Sequence, residues 1–172
     1  MQLYLVRHGE AVERTAGIDD GWRWLTLNGR KAMVKVADRL RRQHVRPDLI
    51  ITSPLTRAVQ TAELLAAKVG SRAELRADAC LSADGSIEQV LELIRSTTKT
   101  DALMLVGHEP LLGQVAAELL GRHQLTGLAK GSCLALELRD KPDKPARLLW
   151  YAVPGKKISS SGKKLLEPAQ ET

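Results

Sequence analysis

Arg7-His8-Gly9 directly follows the apolar run Leu3-Tyr4-Leu5-Val6. Such a run reads as a buried strand, so an arginine and a histidine stand at its carboxyl end. Two further apolar runs end in the same manner. Leu49-Ile50-Ile51 leads into Thr52-Ser53-Pro54-Leu55-Thr56-Arg57, and Leu103-Met104-Leu105-Val106 leads into Gly107-His108-Glu109-Pro110. A phosphoryl group spreads negative charge over several oxygens, and fixed positive donors around them stabilise it in transfer. A planar guanidinium meets two oxygens at once. Arg7 and Arg57 are therefore expected to supply two forks from adjacent strand ends. A neutral imidazole can attack phosphorus and hold the group covalently. His8 is the candidate nucleophile, and Gly9 after it lets the chain turn and the ring approach a substrate. His108, from a third strand end, can donate to a phosphoryl oxygen.

Those side chains converge only if the elements behind them bring the strand ends together. After the first strand a polar loop runs from about Gly9 to Trp24. Thr26 offers an N-cap, and Met33, Val36, Ala37 and Leu40 recur at helical spacing, which predicts a helix over 27–43. The second strand, 48–52, is followed by Ser53 as N-cap and Pro54 at the first helical position. Leu55, Ala58, Val59, Ala62, Leu65, Ala66 and Val69 then form one apolar stripe, with Arg57 off it in the first turn. A short strand is expected over 73–77, a capping box at Ser86–Gln89, a strand at 102–106 and a helix from Pro110 to Leu120 closed by Gly121. Cys133 to Leu138 alternate, and Ala146 to Val153 form another apolar run, which predicts an antiparallel pair at the sheet edge. The alternating order argues for an α/β three-layer sandwich, a mostly parallel central sheet with helices on both faces. In open sheets of this kind the ligand crevice lies beyond the carboxyl ends of the strands.

A chain of 172 residues with 44% apolar content suits one soluble domain, assigned here to residues 1–153. Residues 154–172 are rich in Lys, Ser and Gly and read as a flexible basic tail. The tail's four lysines against two glutamates account for +2 of the net charge of +6. A mild basic excess suits acidic or phosphorylated partners. Nucleic acid is disfavoured, because no Lys/Arg run is interleaved with aromatic residues for base stacking. No run reaches the ~20 apolar residues of a membrane helix. Cys80 and Cys133 stand alone, outside any metal-ligand spacing, so a reduced cytoplasmic setting is expected. Trp22 and Trp24 read as local packing of the first loop.

Taken together, Arg7-His8-Gly9, Leu25-Thr26 with Gly29, Ser53-Pro54-Leu55-Thr56-Arg57-Ala58, Gln60-Thr61-Ala62 and Val106-Gly107-His108 resemble the histidine phosphatase superfamily, with its phosphoglycerate mutase-like fold. The compact length and the stretch Arg23-Trp24-Leu25-Thr26-Leu27-Asn28-Gly29 most resemble its SixA-type phosphohistidine phosphatases. The resemblance implies a two-step reaction in which His8 takes the phosphoryl group and water releases it as phosphate. It implies that Arg7, Arg57 and His108 complete the phosphate pocket, that Arg23, Thr26 and Asn28 help at its rim, and that the Gly9 backbone approaches the anion. It implies no metal and no organic cofactor.

One departure bears on the substrate. Many members carry a glutamate, in a Leu-x-Glu context after the third strand, that protonates a leaving alkoxide. The corresponding stretch here is Cys80-Leu81-Ser82-Ala83-Asp84-Gly85, without glutamate. An alkoxide needs an acid, whereas an imidazole, titrating near ~6.5, can already be protonated as it leaves. The expectation is therefore cleavage of a P–N bond, in phosphohistidine on a protein. Asp84 and Glu109 are the candidate substitute acids. Their other readings are a turn residue before Gly85 and a carboxylate at a helix start. The alternatives are a phosphatase of small phosphomonoesters and, in another class, a non-catalytic phosphoprotein-binding module.

Overall fold

The computed structural model describes residues 1–70, 72–97, 100–123, 125–139 and 144–160. Its strands are β1 (Gln2–Arg7), β2 (Leu49–Thr52), β3 (Glu74–Ala77), β4 (Ala102–Gly107), β5 (Cys133–Glu137) and β6 (Arg147–Ala152). Its helices are α1 (Leu27–Arg42), α2 (Thr56–Val69), α3 (Ile87–Ser96) and α4 (Leu111–Leu119), with short 3-10 turns at Asp20–Trp22 and Ala79–Leu81. The six strands form one sheet in the order β3-β2-β4-β1-β5-β6. The first four run parallel, and β5 and β6 are antiparallel.

The unbroken apolar runs of β1, β2 and β4 follow from cover on both faces. Because side chains alternate along a strand, Leu3, Leu5, Ile51, Leu103 and Leu105 point to one side and pack on Val90 and Ile94 of α3 and Leu112 and Val115 of α4. Tyr4, Val6, Ile50, Met104 and Val106 point to the other and pack on Met33, Val36 and Leu40 of α1 and Ala58, Ala62 and Leu65 of α2. The result is the three-layer α/β sandwich expected. The chain leaves β1 over the α1–α2 face and leaves β4 over the α3–α4 face, so their carboxyl ends diverge around a crevice.

Three details differ from expectation. β4 lies between β1 and β2, so Arg7 and Arg57 come from strand ends flanking a central one, and His108 rises between them. The helix after β2 starts at Thr56, capped by Leu55, and not at Ser53-Pro54. The Ser53 hydroxyl accepts from the Leu55 N–H at 3.3 Å and has a second partner described below. Finally, the segment after Val153 folds back. Ser159 pairs with Tyr151, Ile158 packs on the α1 face, and Arg39 donates to the carbonyl of Val153 at 2.9 Å and to that of Lys156. The first residues of the expected tail thus lie against the domain, while 161–172 fall outside the described residues. Among the described residues no helix is long and apolar enough to cross a membrane.

Candidate active site

Strand register puts the key residues at one level. His8 N–H donates to Gly107 O at 3.0 Å, and Ser53 N–H donates to Val106 O at 2.8 Å. The residues just beyond β1, β2 and β4 therefore share one edge of the sheet. Over that edge lies a cavity of about 190 Å³, lined by Arg7, His8, Ala11, Arg14, Arg23, Arg57, Ala83, His108, Glu109 and Lys130. Five of those ten residues are cationic.

The His8 and His108 rings face each other with centroids 4.9 Å apart and planes inclined at 54°. His8 Nδ1 lies 2.7 Å from the Gly9 carbonyl oxygen. A carbonyl only accepts, so Nδ1 carries the proton and Nε2 holds the free lone pair. Burial, and then the charges of Arg57, Arg7 and Arg23, hold the His8 pKa at about 4 against the favourable bond to Gly9. Burial, His8 and Arg57 hold His108 lower, at about 3. Both rings are neutral at pH 7. His108 Nε2 meets Ser53 Oγ at 2.8 Å, which fixes the ring and leaves Nδ1 without a partner in the protein.

Each arginine is anchored from one side. Arg7 Nη1 donates to Leu128 O at 2.7 Å. Arg57 is buried, with Nη1 donating to Asp20 O at 2.7 Å and Nη2 to Asp20 Oδ2 at 2.9 Å. Nε of Arg7 and Nε of Arg57 are buried without protein partners. Asp20 was not singled out by the sequence, yet its carboxylate joins three guanidiniums. Oδ1 accepts from Arg14 at 2.8 Å and from Arg23 at 2.9 Å, while Oδ2 takes Arg57. Desolvation alone would raise this carboxyl, but the bonds from Arg57 and Arg23 outweigh it and hold its pKa at about 2. The only signal in the sequence was an acid three residues before Arg23 in a loop, a spacing with no periodicity to read. Arg14 and Lys130, also outside regular elements, were not singled out either. Ser53 and Thr61 lie in the motifs that carry the resemblance, but their contacts with His108 and Gly9 are long-range.

Other assignments change. Gly9 does not offer its N–H to an anion, because that group donates to Thr61 Oγ1 at 3.1 Å. Gly9 is required for packing: a Cβ there would meet Met33 Cγ at 2.9 Å. Arg23 does line the cavity. Thr26 and Asn28 do not. Thr26 caps α1 by accepting from Gly29 N–H at 2.9 Å, and Asn28 is exposed in the helix's first turn. Asp84 is exposed, and its neighbour Ala83 borders the cavity instead. Glu109 borders the cavity, but its carboxyl lies against Gly113 and Gly127, whose added Cβ atoms would fall 2.6 and 2.8 Å from Oε2. Burial raises its pKa, with the backbone N–H groups of Leu128 and Gly113 opposing. That placement fits the helix-start reading. Trp22 and Trp24, expected to pack the loop, are 73% and 45% exposed.

Residues 3–82 match the family model of the histidine phosphatase superfamily, branch 1. Phosphohistidine phosphatase SixA of Escherichia coli K12 is 31% identical over 123 residues, covering 69% of this chain and 74% of that protein. The chain belongs to the histidine phosphatase superfamily. A Picosynechococcus protein of unassigned function is 42% identical over 119 residues, covering 67% of this chain and 71% of its own. The structure of the protein histidine phosphatase SixA complexed with tungstate superposes with a TM-score of 0.81 at 24% identity, covering 90% of this chain and 97% of that one. Phosphatase chemistry goes with the family, and the cation-lined cavity of this phosphatase suits a phosphorylated substrate and phosphate product.

Proposed function

We propose that this phosphatase removes the phosphoryl group of phosphohistidine on a protein, through a covalent intermediate on His8. The observation that carries the reading is the convergence of a neutral, Nδ1-protonated His8 with three buried polar nitrogens that lack protein partners: Nε of Arg7, Nε of Arg57 and Nδ1 of His108. Buried polar groups are almost always satisfied; Glu109 Oε1 is a fourth unpartnered atom among the lining residues, and the three nitrogens, all potential donors, favour an anion. The guanidiniums hold the phosphoryl oxygens while His8 Nε2 attacks phosphorus in line. The bond from phosphorus to the substrate's imidazole nitrogen breaks as the new P–Nε2 bond forms. Water then attacks phosphorus, Nε2 leaves with its lone pair, and inorganic phosphate departs. With Ser53 Oγ–H directed at Nε2, His108 carries its proton on Nδ1 and donates to a phosphoryl oxygen. These residues require neither a metal nor an organic cofactor.

The choice of a P–N bond rests on acid groups. Asp84 is exposed and not among the lining residues, and the Glu109 carboxyl, though at the cavity's edge, packs against Gly113 and Gly127. A ring nitrogen that leaves protonated needs neither. The test is a comparison of kcat/KM on a histidine-phosphorylated protein domain and on an alkyl phosphate such as glycerol phosphate, whose leaving group is an alkoxide. The phosphoprotein should be preferred by about 10²-fold or more, since an unassisted alkoxide costs one general-acid contribution. Preference for the ester would establish the small-phosphomonoester reading instead.

A further inference from the structure

We infer that Trp22, Trp24 and Leu27 form the surface on which the phosphorylated protein docks, an apolar rim beside the cationic cavity. The inference rests on the reading of a protein-borne substrate. Among the described residues, four large apolar side chains are exposed. Three of them fall within six consecutive positions, with Trp22 at 73%, Trp24 at 45% and Leu27 at 68%. The fourth, Leu75, is on the edge strand β3.

This segment is held to the active site. Asp20, at the start of the same 3-10 turn as Trp22, binds Arg57 through both its carbonyl and its carboxylate. Arg23 stands between the two tryptophans with extended backbone, φ −61° and ψ 118°, and its guanidinium lines the cavity. Trp22 ends the 3-10 turn and Trp24 follows Arg23 in extended chain; both indoles are exposed, while Arg23 lines the cavity. Trp24 O in turn accepts from Val12 N–H at 2.9 Å, and Ala11, bridged to Leu25, borders the cavity. The two tryptophans thus flank Arg23, a lining residue, on backbone that is hydrogen-bonded to the site.

The occupant follows from size and charge. A cavity of about 190 Å³ takes a phosphoryl group and part of one side chain. The rest of a macromolecular substrate must then rest on the rim. Arg14, 76% exposed at its side chain, and the exposed Lys130 border the cavity. Glu10 and Glu13 lie on the same loop, but the central carboxylate, Asp20, is already taken by three arginines. The fitting partner presents an apolar patch for the tryptophans and acidic groups near its phosphohistidine for the exposed Lys130, Arg14 being paired with Asp20. Exposed aromatic clusters of this kind mark interaction surfaces, and tryptophan is prominent among residues that dominate interface energy.

The test is steady-state turnover of two substrates by the wild-type protein and by W22A/W24A. One substrate is an acidic protein domain phosphorylated on histidine, and the other is free phosphohistidine. The expected result is a rise in KM of about tenfold or more for the protein domain, with kcat on it unchanged and free phosphohistidine turned over as before. The variant should keep its thermal midpoint, since both indoles are exposed; Trp22→Glu alone, which sets a negative charge against the acidic partner, provides a second arm and should also raise KM. An unchanged KM for the domain in both variants would overturn the docking surface while leaving the phosphatase reading intact. Wild-type protein that turns over free phosphohistidine as efficiently as the domain would also overturn it. Turnover of neither substrate would instead sink the phosphohistidine reading on which the inference stands.

Discussion

At the scale of single residues, the site depends on groups held by their neighbours. Arg57 is useful because it is buried and fixed, and what fixes it is Asp20. Arg57→Ala should cut kcat by about 10²- to 10³-fold, the usual loss when a preorganised charge donor is removed. Asp20→Asn keeps one acceptor and should give a smaller loss, with kcat lowered and the fold intact by circular dichroism. The rings of His8 and His108 set the acid limit. Unfolded, both take up protons near the ordinary 6.5; folded, they resist to about 4 and about 3. Between those limits the unfolded chain binds more protons, so stability is full above about pH 6.5 and falls as pH drops towards 4. The double replacement of both histidines by Asn should flatten that fall in thermal midpoint; an unchanged pH slope would place the acid sensitivity elsewhere. At this scale the sequence was legible where a chemical residue followed a strand. Arg7, His8 and His108 stand at strand ends and Arg57 in the first turn of the helix after one, and the structure brings these four expected residues to one cavity. Asp20 was not, because only the loop's irregular path brings it to three arginines.

At the scale of elements, caps and close approaches decide whether the strand ends line up. The capping box of α3 is present as expected, with Ser86 and Gln89 bonded reciprocally. Ser86→Ala should cost about 1 kcal/mol, measured by chemical denaturation. Gly29, in the first turn of α1, shows a tighter constraint. A Cβ there would fall 2.1 Å from the Glu10 carbonyl oxygen, the acceptor for Thr26 N–H at 3.0 Å. Gly29→Ala should therefore destabilise by about 1–3 kcal/mol through overpacking. Gly17→Ala, where nothing lies within 4 Å, should leave the midpoint nearly unchanged. Helix periodicity and turn chemistry made α1, α3 and α4 legible within a residue or two. The helix after β2 starts beyond the expected Ser53-Pro54, and Ser53 Oγ, besides accepting from Leu55 N–H, meets His108 Nε2 at 2.8 Å, a long-range contact that no local pattern encodes.

At the scale of the molecule, the order β3-β2-β4-β1-β5-β6 turns residues far apart in sequence into one site. The layers could be read from the doubly covered apolar strands. The insertion of β4 between β1 and β2 could not, because strand order depends on which helices share a face. That insertion sets His108 opposite His8 and brings residues from three strand ends to one cavity. The most direct measurement is rapid-quench trapping of the intact protein with a ³²P-labelled phosphohistidine substrate, followed by mapping of the label. The account predicts an acid-labile, alkali-stable phosphoryl group on His8 that turns over to phosphate and is absent in His8→Ala. Label on another residue, or phosphate release at the wild-type rate by His8→Ala, would contradict it.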